Sequence, residues 1–338
     1  MKHIWYMVLI GLMLFSAGGA GISAQAAEEN GKGERSAVVV GYYAGWSAGK
    51  GYTPWDVPAN RLTHLNYAFG GIDKEQGTLV MTNPDTDRKN FEQLRAVKKE
   101  NPGLRTLISV GGWDESTYFS VVASTEAKRE TFAQSCLDFI LAHGFDGIDL
   151  DWEYPVSGGP AGIINSPQDR ENFTLLLAAI RNKLDAQGRI DGKKYDLTIA
   201  GAANSNYLQK IEGRKVAALV DHIFVMAYDM HGMWDTYSDL GAPLYQPSGY
   251  SPQYKNSVAD GIRAYLSAGI PAEKLVLGIP FYGYLYEGVS GEGQGLYSPF
   301  RSARSIAYDE VVGSYITKAG MNQAFHAEAA VPYLYGNG

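Results

Sequence analysis

The stretch Asp146-Gly147-Ile148-Asp149-Leu150-Asp151-Trp152-Glu153-Tyr154-Pro155 decides the fold and carries most of the chemistry. Strand side chains alternate with period two, so Asp149, Asp151 and Glu153 share one face, while Ile148, Leu150 and Trp152 share the other. The acids then point into a barrel and the apolar residues out toward its helices. Like charges at this spacing raise at least one pKa, and folding alone would not choose them. A hydrogen-bonded or salt-bridged polar plug is the purely structural account. A divalent-cation site is disfavoured, because the neighbouring strand ends supply Tyr, Ser and Met rather than more carboxylates or histidine.

Outward from this strand the chain keeps a βα rhythm. Short apolar runs at 37–43, 64–69, 104–110, 147–152, 195–200, 220–228 and 275–281 predict seven strands. Helical spacing predicts helices over 87–100, from a Ser124 cap to Gly144, over 169–185 and over 257–268. Spacings of roughly 30 to 50 residues fit whole βαβ units and a (β/α)8 TIM barrel better than a doubly wound sheet. The Rossmann glycine fingerprint is absent after the first strand. Glu153, last on the fourth predicted strand, falls at the C-terminal mouth where barrel active sites lie. No eighth strand is predicted, so the barrel is expected to be incomplete, with about seven βα units, and the chain to be a fragment.

The chain has 338 residues, 45% hydrophobic and 19% charged, which excludes global disorder. Acidic residues number 36 against 29 basic, with no basic run, so no nucleic-acid partner is expected. The one cysteine, Cys136, excludes an internal disulfide framework and reads as a packed small hydrophobe. The six histidines form no HExxH pattern, and neither a metal nor a cofactor is expected. At the N-terminus, Lys2 and His3 precede an apolar run from Ile4 to Phe15 and small residues ending in Ala24-Gln25-Ala26. That layout predicts a signal peptide over 1–26, a flexible leader over 27–36, secretion, and no membrane association after cleavage. A monomer is expected. Asn172-Phe173-Thr174 matches a weak glycosylation sequon.

A buried carboxylic acid at a barrel mouth suits general acid catalysis, such as protonation of a glycosidic oxygen. Ordinary glycosidases set two carboxyl groups across the sugar, whereas these acids are stacked on one strand at ~3.3 Å rise per residue. Asp151 then reads as a helper, and the geometry invites a substrate that supplies its own nucleophile. Asp146 has the opposite parity and reads as a structural residue at the strand start. Ser109 reads as a hydrogen-bond partner for the lower acids, because no His–Asp pair stands beside it. Gly111 and Gly112 permit close approach at the mouth. Met226 and Tyr228 share a face of the sixth predicted strand, with Tyr228 nearer the mouth. Tyr43, Trp46, Phe69, Trp113, Trp234 and Tyr282 are candidate sugar-contacting aromatics, and Trp152 reads as core.

DGIDLDWEYP resembles the DxxDxDxE signature of glycoside hydrolase family 18, the chitinases. Ser109-Val110-Gly111-Gly112-Trp113 resembles that family's SxGG motif, and Met226-Ala227-Tyr228-Asp229 its MxYD motif. Gly278-Ile279-Pro280-Phe281-Tyr282-Gly283 resembles its seventh-strand segment, and Tyr42-Tyr43 with Trp46 its aromatic first strand and loop. The resemblance covers roughly 37–338 and implies chitin or chitooligosaccharides as partner. It implies Glu153 as acid and then base, and the substrate's acetamido oxygen as nucleophile, with retained anomeric configuration. Asp151 would orient the acetamido nitrogen and Asp149 would share its proton or hydrogen-bond load. Tyr228 would donate to the acetamido oxygen, and Asp229 would contact the distorted sugar and tune Glu153. Trp113 and Trp46 would be platforms on the leaving-group and non-reducing sides, with Gly112, Met226 and Trp234 among the substrate-binding set.

Two departures stand out. Tyr284 occupies a position where the family usually carries Arg, and the tryptophan of the family's last strand has no counterpart. The barrel portion is expected over 37–283. Residues 284–338 resemble the start of the α+β insertion of secreted bacterial members. A non-catalytic chitin-binding protein and a hydrolase of a related N-acetylated glycan are the competing readings.

Overall fold

Apolar runs flanked by turn residues become a parallel sheet. The computed structural model describes residues 37–248, 255–290 and 294–336, so the predicted signal peptide and leader lie outside the described residues. The chain enters through β1 (Val40–Ala44) and β2 (His64–Ile72), then folds back as a short antiparallel β3 (Leu79–Met81). It continues through β4 (Arg105–Gly111), β5 (Gly147–Asp151), β6 (Asp196–Ala202), β7 (His222–Met226) and β8 (Leu275–Leu277). The parallel strands lie in the order β1-β2-β4-β5-β6-β7-β8, with β1 and β8 as the edges of an open (β/α) barrel sheet.

Helices cover the outside. They are α1 (Pro84–Glu100), α2 (Gly112–Glu115), α3 (Phe119–Ala123), α4 (Glu126–His143), α5 (Asp169–Asp191), α6 (Ser205–Gln209), α7 (Gly213–Leu219) and α8 (Val258–Ser267). Asn83 caps α1 by accepting from the Thr86 N–H, and Pro84 at its first position lacks only a donor that no helical carbonyl could accept. The helix expected to start from a Ser124 cap is capped instead by Thr125, whose hydroxyl accepts from Lys128 N–H, while Ser124 Oγ donates to Val121 O at 2.7 Å. None of the helices among the described residues is long and apolar enough to cross a membrane.

The seventh predicted strand is shorter than its apolar run. Only Leu275–Leu277 pairs with β7, and Leu277, Ile279 and Phe281 are exposed along this edge. Pro280 has no N–H to extend a ladder. Beyond it, β9 (Tyr282–Glu287) and β10 (Ser302–Ala307) form one antiparallel pair, α9 (Tyr308–Ser314) follows, and β11 (Met321–His326) pairs antiparallel with β12 (Val331–Gly336).

The core lies between sheet and helices. Ile148, Leu150 and Trp152 project outward from β5 and its end, where Trp152 stacks on Phe119 at 5.3 Å and meets Phe173 edge-on at 5.5 Å. Phe132, Cys136 and Ile140 of α4 and Leu176, Leu177 and Ile180 of α5 complete that layer. Cys136 is fully buried, and burial pushes its thiol pKa up, in keeping with a packing role.

At the N-terminal end of the sheet, a buried carboxylate is paired in the usual way. Asp196 meets His64 Nε2 at 3.4 Å, Arg105 Nε, and Lys194 Nζ at 3.8 Å. Burial pushes its pKa up, but the histidine hydrogen bond and the guanidinium outweigh burial and hold it below the ordinary carboxylate value. Asp146 lies at the same end: its carboxylate accepts from Thr106 N–H at 2.9 Å and meets Lys98 Nζ at 2.5 Å. Trp152 fills the space between the acidic strand and two helices. Trp152→Ala is therefore expected to lose about 3–5 kcal/mol of unfolding free energy, read as a lower urea midpoint by circular dichroism.

Candidate active site

Parallel strands present their C-terminal ends on one rim. Glu153 follows β5, Tyr228 and Asp229 follow β7, Gly112 and Trp113 follow β4, and Trp46 follows β1. The acidic row sits below this rim: Asp149 is 0% exposed, Asp151 5% and Glu153 9%.

Asp149 is the anchored member. Ser109 and Thr198 are its register neighbours on β4 and β6. Its Oδ2 accepts from Ser109 Oγ and Tyr42 Oη, each at 2.8 Å, and its Oδ1 accepts from Thr198 Oγ1 at 2.6 Å. Asn66 on β2 adds polar support that favours the charged form, although neither amide atom reaches full hydrogen-bond geometry. Burial still dominates and raises the Asp149 pKa, against four polar contacts that lower it.

Asp151 has less support. Its Oδ1 is buried with no hydrogen-bond partner among the described residues. Burial first, then the charges of Glu153 and Asp149, push its pKa well above the carboxylate range. Glu153 is raised to about 7, chiefly by burial, with further contributions from Asp229 and Asp114, while a hydrogen bond from Tyr154 opposes the rise. No lysine, arginine or histidine among the described residues forms an ion pair with Asp149, Asp151 or Glu153. Burial thus favours the protonated form along the row, and the member nearest the rim, raised to about 7, can give up a proton near neutral pH.

The backbone around Glu153 is fixed by close packing. Its N–H donates to Ser116 Oγ at 2.9 Å, and that hydroxyl lies 2.7 Å from Gly112 O and 3.1 Å from Asp151 O. Gly111 has φ 105°, and a Cβ there would sit 2.3 Å from Asp151 O. Gly112 has φ 72°, and a Cβ would press into the Phe69 ring at 2.7 Å. Both positions therefore require glycine. The peptide bonds Ala68–Phe69 and Glu153–Tyr154 are cis.

Tyr228, just past the end of β7, interacts with the row. Burial, then the charges of Asp151, Glu153, Asp229 and Asp149, raise its hydroxyl pKa, so it remains a donor. Its ring meets Tyr282 edge-on at 6.0 Å. Asp229 is exposed at φ 55°, with Oδ2 accepting from Tyr282 Oη at 2.6 Å and Oδ1 from Tyr284 Oη at 2.5 Å. Trp46 stacks on Phe69 at 6.4 Å, Trp113 is exposed on α2, and the exposed Trp234 meets Tyr284 edge-on at 5.4 Å. Met226, last in β7, is half-buried and pairs with Ala202.

One expected cleft residue is elsewhere. Tyr43 is 2% exposed, packs on Tyr67 and Tyr52 outside the sheet, and donates to Tyr52 O at 2.9 Å. Period two makes Tyr42 the inward residue of β1, and its hydroxyl reaches Asp149. Tyr42, Asn66, Thr198, Ser116 and Tyr154 were not among the expected site residues. Strand parity could have found Tyr42, because the inward face of β1 is fixed once one residue is placed. Among the described residues, no group of three His, Cys, Asp or Glu side chains is arranged to hold a metal ion.

Residues 38–338 match the family described as Glycosyl hydrolases family 18. The chain belongs to this family. It is 40% identical over 354 residues to "Chitinase A1" of Niallia circulans, an alignment covering 88% of this chain and 51% of that protein. Among solved structures, it resembles "Chitinase ChiA74 from Bacillus thuringiensis" with TM-score 0.85 and 34% identity, over 88% of this chain and 60% of that one. It also resembles a family 18 N-acetylglucosaminidase from Paenibacillus barengoltzii with TM-score 0.79 and 35% identity, over 88% of this chain and 85% of that one. The chain thus spans about half the length of Chitinase A1.

The raised Glu153 pKa has a consequence for this family 18 fold that needs no substrate. A carboxyl whose folded pKa exceeds its unfolded value leaves stability fully present below about pH 4.5 and lost as pH rises through about 7. Glu153→Gln cannot ionise. It is expected to melt above wild type at pH 8, by up to about 3 kcal/mol, with the gap closing near pH 4 in calorimetric scans.

Proposed function

We propose that the chain hydrolyses β-1,4 links between N-acetylglucosamine units of chitin or chitooligosaccharides, by a retaining mechanism in which the substrate's acetamido group is the nucleophile. The observation that carries this reading is a buried Glu153 at the rim with a pKa near 7, standing over a carboxylate with an unpartnered oxygen. Glu153 protonates the leaving oxygen and then takes a proton from water. The free Oδ1 of Asp151 accepts the acetamido N–H and stabilises the positive charge that develops there, and its burial strengthens that interaction. Asp149, held by three hydroxyls, keeps Asp151 supplied with a proton-sharing neighbour. Tyr228 donates to the acetamido oxygen and holds the ring-closing geometry. Asp229 contacts the distorted sugar and bears on Glu153.

The aromatic rim supports an extended sugar chain. Trp46 with Phe69 offers one flat platform, and Trp113 and Trp234 offer others, each suited to the apolar face of a pyranose ring. We propose that the protein is exported after removal of residues 1–26, and that it acts as a monomer without cofactor or metal. The likeness to an N-acetylglucosaminidase favours a second reading in which single sugars are released from a chain end.

Chitooligosaccharide digestion by wild type and Glu153→Gln tests the proposal. The variant is expected to lose at least about 10²–10⁴-fold in kcat, with little change in binding measured by calorimetry. Equal hydrolysis by both proteins would discard Glu153 as the acid. Binding by wild type without cleavage would favour a lectin. Dimer release separates the first reading from the monomer release of the second.

A further inference from the structure

Of the two tyrosines that hold Asp229, Tyr284 stands where the family resemblance implied a cation. Tyr282 and Tyr284 lie two apart on β9, so both rings project from one face of that strand. β9 is braced by β10 through the Tyr284–Ser305 register, and the Tyr284 ring is braced by the edge of Trp234 at 5.4 Å. Both hydroxyls donate to the one Asp229 carboxylate, one to each oxygen. Among the described residues, no lysine, arginine or histidine pairs with Asp229. Asp229 sits at φ 55°, a left-handed backbone that turns its side chain toward β9 rather than along the path of β7.

We propose that Tyr284 is a positioning residue that, together with Tyr282, clamps the Asp229 carboxylate through neutral donors, so that its negative charge faces Glu153 without a compensating cation. This deepens the reading of Glu153 as the acid and rests on it. A hydroxyl orients a carboxylate as well as a guanidinium does, but it leaves the net charge in place. That charge is felt at Glu153, which sees Asp151 below it, Tyr154 beside it, Asp114 from α2, Tyr207 from α6, and Tyr228 and Asp229 from the end of β7. All the charged groups in that set are acidic. Asp235 also bears on Tyr284 from the neighbouring loop. The clamp thus keeps the acid protonated toward higher pH than an arginine would, and it does so without touching the substrate's acetamido group.

The test follows the Glu153 carboxyl by ¹³C NMR titration of the whole chain labelled at glutamate, with Glu153→Gln assigning the resonance, so it needs no turnover. Wild type is expected to titrate at about 7. Tyr284→Arg is expected to lower that midpoint by about 0.5–1 pH unit, Asp229→Asn to lower it similarly, and Tyr284→Phe to move it by less than about 0.3 unit. Tyr284→Lys repeats the charge on a flexible stem should the arginine variant not fold. An unmoved midpoint in the cationic variants or in Asp229→Asn overturns the inference, as does a Tyr284→Phe shift as large as that of arginine. Chitooligosaccharide hydrolysis by Glu153→Gln at the wild-type rate would instead overturn the acid assignment while leaving the titration result standing.

Discussion

Burying carboxylates without cations governs the rest of this molecule. At the N-terminal end of the sheet, Asp196 is buried against a histidine, an arginine and a lysine, and its pKa falls. At the other end, Asp149, Asp151 and Glu153 are equally buried, the Asp149 carboxylate accepts only from hydroxyls, and Asp151 keeps one oxygen unpartnered. A hydroxyl can orient a carboxylate but cannot cancel its charge, so the low-dielectric interior drives protons onto the row. The same strand thus joins an apolar outer face that builds the core to an inner face that costs stability. Trp152, stacked between α3 and α5, is on the side that offsets this cost.

The gradient along the row matters as much as its burial. Asp149 has three hydroxyl partners, Asp151 has an orphaned oxygen, and Glu153 lies at the rim with a pKa near neutrality. Support decreases from the bottom of the row to its middle, and access to the cleft increases toward the rim. A labile proton is therefore at the open end, where a glycosidic oxygen could receive it. The rim residues are held with the same economy of cations: Asp229 by two tyrosines, and the Glu153 backbone by Ser116 between two glycine-dependent contacts.

Much of this was legible in the residues. The period-two acids, the apolar counter-face and the βα spacing led to a barrel and placed Glu153 at its mouth, because each of those signals depends only on local geometry. Other features depended on tertiary contacts. Tyr42 and Tyr43 are chemically alike, and only the partner across the sheet, Asp149, shows which of them is inside. Thr198 and Asn66 look like ordinary strand residues until the register brings them beside Asp149. The seventh run overshot because apolar character persists past Leu277 along an edge where pairing stops. Thr125 replaced Ser124 as a cap, because either hydroxyl could serve and the preceding helix claimed Ser124. Tyr284 stood out in the sequence only as the lack of a cation, and its hydrogen bond to Asp229, 55 residues away, is visible only in the fold.

The central claim is that Glu153 keeps its proton close to neutral pH because it is buried, with acids rather than cations as its charged neighbours. Infrared difference spectroscopy between wild type and Glu153→Gln, about one pH unit below neutrality, reads this directly. A protonated-carboxyl band present in wild type and missing from the variant is the result this account requires. Spectra showing only an ionised carboxylate lost at that pH would contradict it.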